Sequence, residues 1–177
     1  MNIRDDLQET VSFLQTFLEQ AELDINVQSL SDDDFEALVQ DERTVLNWLS
    51  KYQYYLHKDS FHLGFRLVST SRIDGAMLGI YACSDGKLHI FLIESLIREN
   101  RAHPLNGRLT TLVVIAATYF LSLREESMGA YVVEPHPDLV PHYERFGFES
   151  VSENHEAMYA SYEALLEAQQ RILADFA

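Results

Sequence analysis

Residues 138–148 read Asp138-Leu139-Val140-Pro141-His142-Tyr143-Glu144-Arg145-Phe146-Gly147-Phe148. The pattern predicts a short helix from Asp138 to Phe146, closed by Gly147, because a glycine adopts the left-handed conformation that ends a helix. Phe148 to Val151 then reads as a strand, as does roughly Glu156 to Tyr159. Immediately before the helix, AYVVE (130–134) has the unbroken apolar character of a buried strand. Before that strand, Asn106 to Glu126 is a long helix, almost wholly apolar through its middle.

Further upstream, HLGFRLVS (62–69), GAMLGIYACS (75–84) and KLHIFLIESLI (87–97) read as strands. Ser84-Asp85-Gly86-Lys87 forms a tight turn between the last two, giving an antiparallel meander. At the start of the chain, Leu7, Val11, Leu14 and Leu18 recur at helical spacing over residues 5–21, with Phe13 and Phe17 widening the stripe. Leu23, Ile25 and Val27 alternate as a short strand. Ser31 before Asp32, Asp33 and Asp34 marks a helix start. One or two helices are expected over residues 32–57, with Leu38, Leu46, Trp48 and Leu49 facing inward. Ser161 to Phe176 closes the chain as an amphipathic helix. The order α-β-αα-βββ-α-β-α-ββ-α predicts a layered α/β (α+β) fold, one domain over residues 1–177. Within it, residues 1–60 form a helical N-terminal region, 62–160 the core and 161–177 the C-terminal helix.

Charge is distributed unevenly. Residues 1–42 carry 12 acids and one Arg, and residues 149–177 carry 6 acids and one Arg, whereas 43–148 holds 10 acids and 11 Lys or Arg. Acidic ends repel nucleic acid, so no nucleic-acid partner is expected. They either attract a cationic substrate or only keep the chain soluble. The longest apolar run, Leu109 to Leu123, falls short of the roughly 20 residues that span a bilayer, so no membrane association is expected. The start, MNIRDDLQET, lacks a signal-peptide apolar region, and the single cysteine, Cys83, suits a reducing, cytoplasmic setting. Cys83 reads as a small core residue rather than a nucleophile. The spacing of His136, Asp138 and His142 is no standard metal site, and no metal is expected.

The segment Leu-Val-Pro-x-Tyr-x-Arg-Phe-Gly-Phe resembles the arylalkylamine acetyltransferases of the GNAT superfamily of N-acetyltransferases, and the meander, long helix and fifth strand sit in GNAT order over residues 62–160. The resemblance implies a mixed, mostly antiparallel central sheet flanked by helices, in which the fourth and fifth strands are parallel but splay apart. It implies acetyl-CoA as co-substrate, with the pantetheine arm in that gap and the pyrophosphate at the start of the long helix, where unpaired amides and partial positive charge have an independent physical reason to hold anions. Leu96, Ile97, Arg101, Leu105, Asn106, Gly107, Arg108 and Leu109 are the cofactor-binding candidates. The family's phosphate loop reads Gln/Arg-x-x-Gly-x-Gly/Ala. Here Ala102-His103-Pro104-Leu105-Asn106-Gly107 keeps only the last glycine, with Arg101 one position from the expected basic residue. Arg98, Arg101 and Arg108 nevertheless cluster there, with Glu99 the only acid among residues 96–108.

By the same resemblance, Tyr143 protonates the departing thiolate. Glu94 is the candidate base that deprotonates the amine through water, placed by alternation on a different face from Phe91 and Ile93. Glu134, ending the fifth strand, is the second acidic candidate and could bind the positive charge of the amine. The substrate expected is a small-molecule or peptide amine, and the terminal helices leave room for a homodimer. The alternative is a non-catalytic GNAT-like module whose acidic helical N-terminus binds a basic partner protein.

Overall fold

Seven strands pair in the order β1-β2-β3-β4-β5-β7-β6. They are β1 (Ile25–Gln28), β2 (Ser60–Leu67), β3 (Gly75–Ala82), β4 (Lys87–Ser95), β5 (Gly129–Val133), β6 (Glu149–Ser150) and β7 (Ala157–Ser161). The computed structural model describes residues 2–98, 100–151 and 156–176. Every neighbouring pair is antiparallel except β4 and β5, which run parallel. A parallel pair needs a crossover, and helix α4 (Leu109–Ser122) supplies it. The expected fold class, a mixed and mostly antiparallel sheet flanked by helices, is the one observed.

Two apolar layers sandwich the sheet. On one face α1 (Ile3–Gln20), α4 and α6 (Tyr162–Phe176) join a core containing Leu14, Leu18, Phe61, Met77, Ile115, Phe120 and Leu165, with Tyr143 and Phe146 of the short α5 (Val140–Glu144) and its end at the margin. On the other face α2 (Asp32–Gln40) and α3 (Tyr52–Tyr55) enclose Leu30, Phe35, Leu38, Trp48, Leu78 and Leu92. The cap at Ser31 forms as expected: its hydroxyl accepts from the Asp34 amide while the Asp34 carboxylate accepts from the Ser31 amide. No helix among the described residues is long and apolar enough to cross a membrane.

Two expectations are corrected. Residues 41–48 are not helical, and while Leu38 and Trp48 are buried, Leu46 and Leu49 are exposed. The amides of Val45 and Leu46, which a helix would spend on its own carbonyls, donate instead to a side chain of β4, so the helical phase is lost and restarts only in the 3-10 turn at Leu49–Lys51. Cys83 is exposed, because β3 ends at Ala82 and the thiol lies in the turn beyond it.

One irregularity in the sheet fixes the site. Leu78 pairs with Leu92 and Gly79 with Ile90, so Phe91 is an extra residue on β4. Such a bulge bends its strand and breaks side-chain alternation. Ile90 belongs to the α4-side core, Phe91 and Leu92 to the opposite one, and Ile93 to the first again. Glu94 therefore shares a face with Phe91, contrary to simple alternation, while remaining opposite Ile93. A Cβ at Gly79 would stand 2.6 Å from the His89 carbonyl oxygen, backbone that cannot yield without undoing the bulge. Gly79→Ala should therefore destabilise the protein by about 1–3 kcal/mol, the range for overpacking a dense interior, read as a lower urea midpoint; an unchanged midpoint would show that the bulge tolerates a methyl group.

Candidate active site

β4 and β5 pair only from Lys87↔Gly129 to Ile90↔Val132. β4 continues to Ser95, so beyond the bulge its β5-facing edge has no strand beside it. A cleft of about 720 Å³ opens there, walled by residues 90–93 of β4, Arg98, residues 132–139 from the end of β5 onward, Tyr143 of α5, and residues 45–47, 50 and 51. The fork results from two local events: the bulge at Phe91, and the end of β5 at Glu134. Glu134 adopts φ +51, and its amide donates to the Glu156 carbonyl at 2.7 Å. A left-handed non-glycine residue costs about 1–2 kcal/mol and turns the chain out of the sheet. It leaves the Glu134 carboxylate exposed on the cleft wall.

Tyr143 is 4% exposed and lines the same cleft. Its ring meets Phe148 edge-on at 6.0 Å. Among the described residues its hydroxyl has no hydrogen-bond partner. Burial pushes the phenol's pKa up to about 12, so it keeps its proton throughout the neutral range. Tyr143 and Glu134 thus face one cleft, with His136 and Asp138 beside them. Among the described residues no group of three or more possible ligands could hold a metal ion.

Glu94 lies differently. Its carboxylate is buried and accepts from the Val45 amide at 2.7 Å, the Leu46 amide at 3.3 Å, the Trp48 indole at 2.8 Å and the Arg98 guanidinium at 2.7 Å. It does not line the cleft; it fastens residues 45–48 to the end of β4, and the first three of these are part of the cleft wall. With four donors around it, the carboxylate is engaged as an acceptor on every side that the described residues reach.

A second charge cluster, partly buried and not foreseen in the sequence, joins the same segment to the turns before α4. Arg43 grips Asp41 through two nitrogens at 2.8 and 3.0 Å and reaches Asp74 at 2.9 Å. The hydrogen bond from Arg43 holds the Asp41 carboxyl below the usual carboxylate range. The other Asp74 oxygen lies 2.9 Å from His103 Nε2, and His103 Nδ1 accepts the Leu105 amide at 3.0 Å. Since Nδ1 accepts, Nε2 carries the hydrogen and donates it to Asp74. His103-Pro104 in a run of turns was the available sequence signal; the partner carboxylate, 29 positions away, was not.

The turns themselves lead into α4, whose start no side chain caps. Leu109, Thr110 and Thr111 donate their amides to no backbone carbonyl of the preceding turns among the described residues. Gly107 adopts φ +72, and a Cβ there would meet nothing within 4 Å. Arg98 is held by Glu94 and Arg108 by the Pro104 carbonyl at 2.7 Å, while Arg101 is exposed without an ion-pair partner among the described residues. Leu96, Ile97, Leu105 and Leu109 are buried, and Asn106 is half-buried. Glu99 lies outside the described residues.

No protein-family model matches the chain, and no curated protein sequence matches it. Solved structures do. The spermidine N-acetyltransferase of Vibrio cholerae, in complex with CoA and spermine, is 14% identical, with a TM-score of 0.56 over 81% of this chain and 98% of that one. AtaTR bound with acetyl-CoA is 18% identical, with a TM-score of 0.57 over 81% and 97%. A bacterial toxin is 12% identical, with a TM-score of 0.61 over 82% and 95%. The fold is that of the GNAT acetyltransferases, as the resemblance implied.

Glu94→Gln keeps the volume but removes the anion and one acceptor. It should destabilise the protein by about 2 kcal/mol, less than for a fully buried pair because Arg98 is half-exposed and can return to water. Loss of the indole hydrogen bond should also shift the emission of Trp48, the single tryptophan. Unchanged urea unfolding and emission would refute the clamp.

Proposed function

We propose that the protein is an acyl-CoA-dependent N-acetyltransferase that moves an acetyl group from acetyl-CoA to a primary amine. The observation that carries this is the fork of β4 from β5 with the unpartnered phenol of Tyr143 on its wall. The uncapped start of α4, with free amides, an open Gly107 and Arg101 at hand, fits a pyrophosphate despite the degenerate loop. The acyl-CoA supplies an activated acetyl group, and this chain's residues do the rest. The open edge of β4 offers main-chain donors along the fork to bind the pantetheine arm and polarise the thioester carbonyl. The cleft holds the amine against it, so proximity supplies a share of the rate.

As the amine nitrogen bonds to the carbonyl carbon and the carbon–sulfur bond breaks, Tyr143 gives its proton to the sulfur. The amine's proton leaves through water towards Glu134, the exposed carboxylate of the cleft; Glu94, already engaged, acts as the clamp of the acceptor wall. Glu134 and Asp138 also suit a substrate with a second positive charge, the character of the spermine bound by the Vibrio cholerae enzyme. A non-catalytic module that binds a basic partner would need neither the fork nor the phenol.

Acetyl-CoA should raise the Tm of the wild type and not that of Gly107→Val. Valine strains a backbone at φ +72 and fills the approach that the phosphates need. An equal shift in both would place the phosphates elsewhere, and no shift in either would remove the proposal.

Tyr143→Phe keeps the ring and its packing. It should lower kcat by about 10²-fold with little change in acetyl-CoA affinity, as expected for a lost general acid. Steady-state kinetics with any amine that the enzyme turns over makes the check, and an unchanged kcat would reduce Tyr143 to a packing residue.

A further inference from the structure

A second pocket, of about 320 Å³, shares no residue with the cleft. It lies between the start of α1, the β1–α2 connection and the turn that leads from α3 into β2. Ser60 and His62 are two residues apart on β2, so both side chains leave the sheet on one face. Both line the pocket.

Ser60 is 8% exposed, and its hydroxyl is buried with no hydrogen-bond partner. An unsatisfied buried hydroxyl costs about 1–3 kcal/mol unless something in the pocket accepts from it. His62 Nδ1 accepts the Leu30 amide at 2.8 Å, which leaves the hydrogen on Nε2 as a donor. Burial, the largest cause, with Arg4 adding to it, lowers the imidazole's pKa to about 4, so the ring stays neutral and this tautomer persists. Arg4 and Lys58 line the same pocket, and neither has an ion-pair partner among the described residues. The opposing charge is Asp32, which accepts the Tyr55 hydroxyl at 2.9 Å; Asp34, nearby, is paired with Arg66. Two cations without an ion-pair partner among the described residues, the oriented His62 donor and the unsatisfied Ser60 hydroxyl line one pocket with a single carboxylate, in a chain whose net charge is −15.

We propose that this pocket binds a phosphate group, either free or as the ester of a small metabolite. Arg4 and Lys58 supply charge, and the Ser60 hydroxyl and His62 Nε2–H supply directed hydrogen bonds to phosphate oxygens. The remaining oxygen of Asp32 accepts a hydroxyl from the rest of an ester and repels a bulkier anion. The site is independent of the acetyl-transfer proposal, because its lining shares no residue with the cleft or with the turns and first residues of α4.

The test is a thermal-shift and calorimetric titration with inorganic phosphate, against chloride at equal ionic strength and without CoA. Phosphate should stabilise the wild type beyond chloride. The Arg4→Gln/Ser60→Ala double variant should bind phosphate at least about tenfold more weakly, the loss expected when a charge-assisted hydrogen bond and its neighbour are removed. It should still fold, since the first change is on the surface and the second removes an unpaired hydroxyl. Gly107→Val, which alters the start of α4, should bind phosphate as the wild type does. A parallel titration with glycerol 3-phosphate distinguishes the sources: tighter binding than phosphate marks an ester as the ligand, and equal binding marks the free ion. No stabilisation beyond chloride overturns the proposal. So does phosphate binding that survives the double variant or disappears in Gly107→Val.

Discussion

Main-chain hydrogen bonds interrupted in mid-sheet are the constraint on which the rest of this structure depends. Four residues of β4 pair with β5, and the strand then runs on without it. Donors and acceptors along such an edge must find water or another molecule, since leaving them dry and unpaired is costly. The protein maintains this fork from both sides. Phe91 adds a residue to β4 and bends it, with Gly79 admitting the carbonyl that the bulge drives towards β3. Glu134, in a left-handed conformation, turns β5 away. Both devices leave the edge of β4 open to an extended ligand of the kind the proposed function requires.

An open fork needs walls that do not collapse into it, and buried and partly buried ions hold one of them. Residues 41–48 carry little apolar surface into the core apart from Trp48, so packing alone would hold them weakly. Glu94 gathers four donors from this segment and from Arg98, and the Asp41–Arg43–Asp74–His103 chain fastens its other end to the turns before α4. Buried ion pairs contribute little net free energy against an apolar replacement, but they specify geometry: four donors around one carboxylate admit few arrangements. The two clusters thus tie the two ends of residues 41–48 to different places, one to the end of β4 and the other to the turns before α4.

Much of the architecture was legible because it is written in local periodicity. The stripe of α1, the apolar length of α4 and the Tyr143-to-Phe148 segment each declare themselves within a few turns of chain. The bulge did not, since it depends on pairing between Gly79 and Ile90 that no single strand reveals, and strict alternation consequently misplaced Phe91 relative to Glu94. Residues 41–48 resist reading for a related reason. Their amides are satisfied by a carboxylate far along the chain on β4, and a helical pattern of Leu46, Trp48 and Leu49 carries no sign of that. Within the site, Tyr143 and Glu134 were recognisable from the ends of their elements, whereas the engagement of Glu94 and the His103–Asp74 contact are products of tertiary packing.

Under the proposed function, the acidity of the chain and the anionic nature of an acyl-CoA make opposite demands, and screening reconciles them. At physiological ionic strength a charge is screened within roughly 8 Å, so a phosphate at the start of α4 responds to its immediate neighbours and not to the total of −15. Those neighbours are free amides, the helix dipole and Arg101. The cleft presents a different local set, the carboxylates of Glu134 and Asp138 beside the cations Lys51 and Arg98, and under the proposed function an amine would meet the carboxylates. Acid-rich ends raise the encounter rate of a cation with the molecule as a whole, an effect on association that salt weakens. Once bound, each partner is governed by the few charges within hydrogen-bonding reach. A globally acidic protein can in this way accommodate an anion and a cation in adjoining sections of one fork, provided that the positive end of α4 and the acids after β5 are kept on opposite sides of the reacting carbonyl.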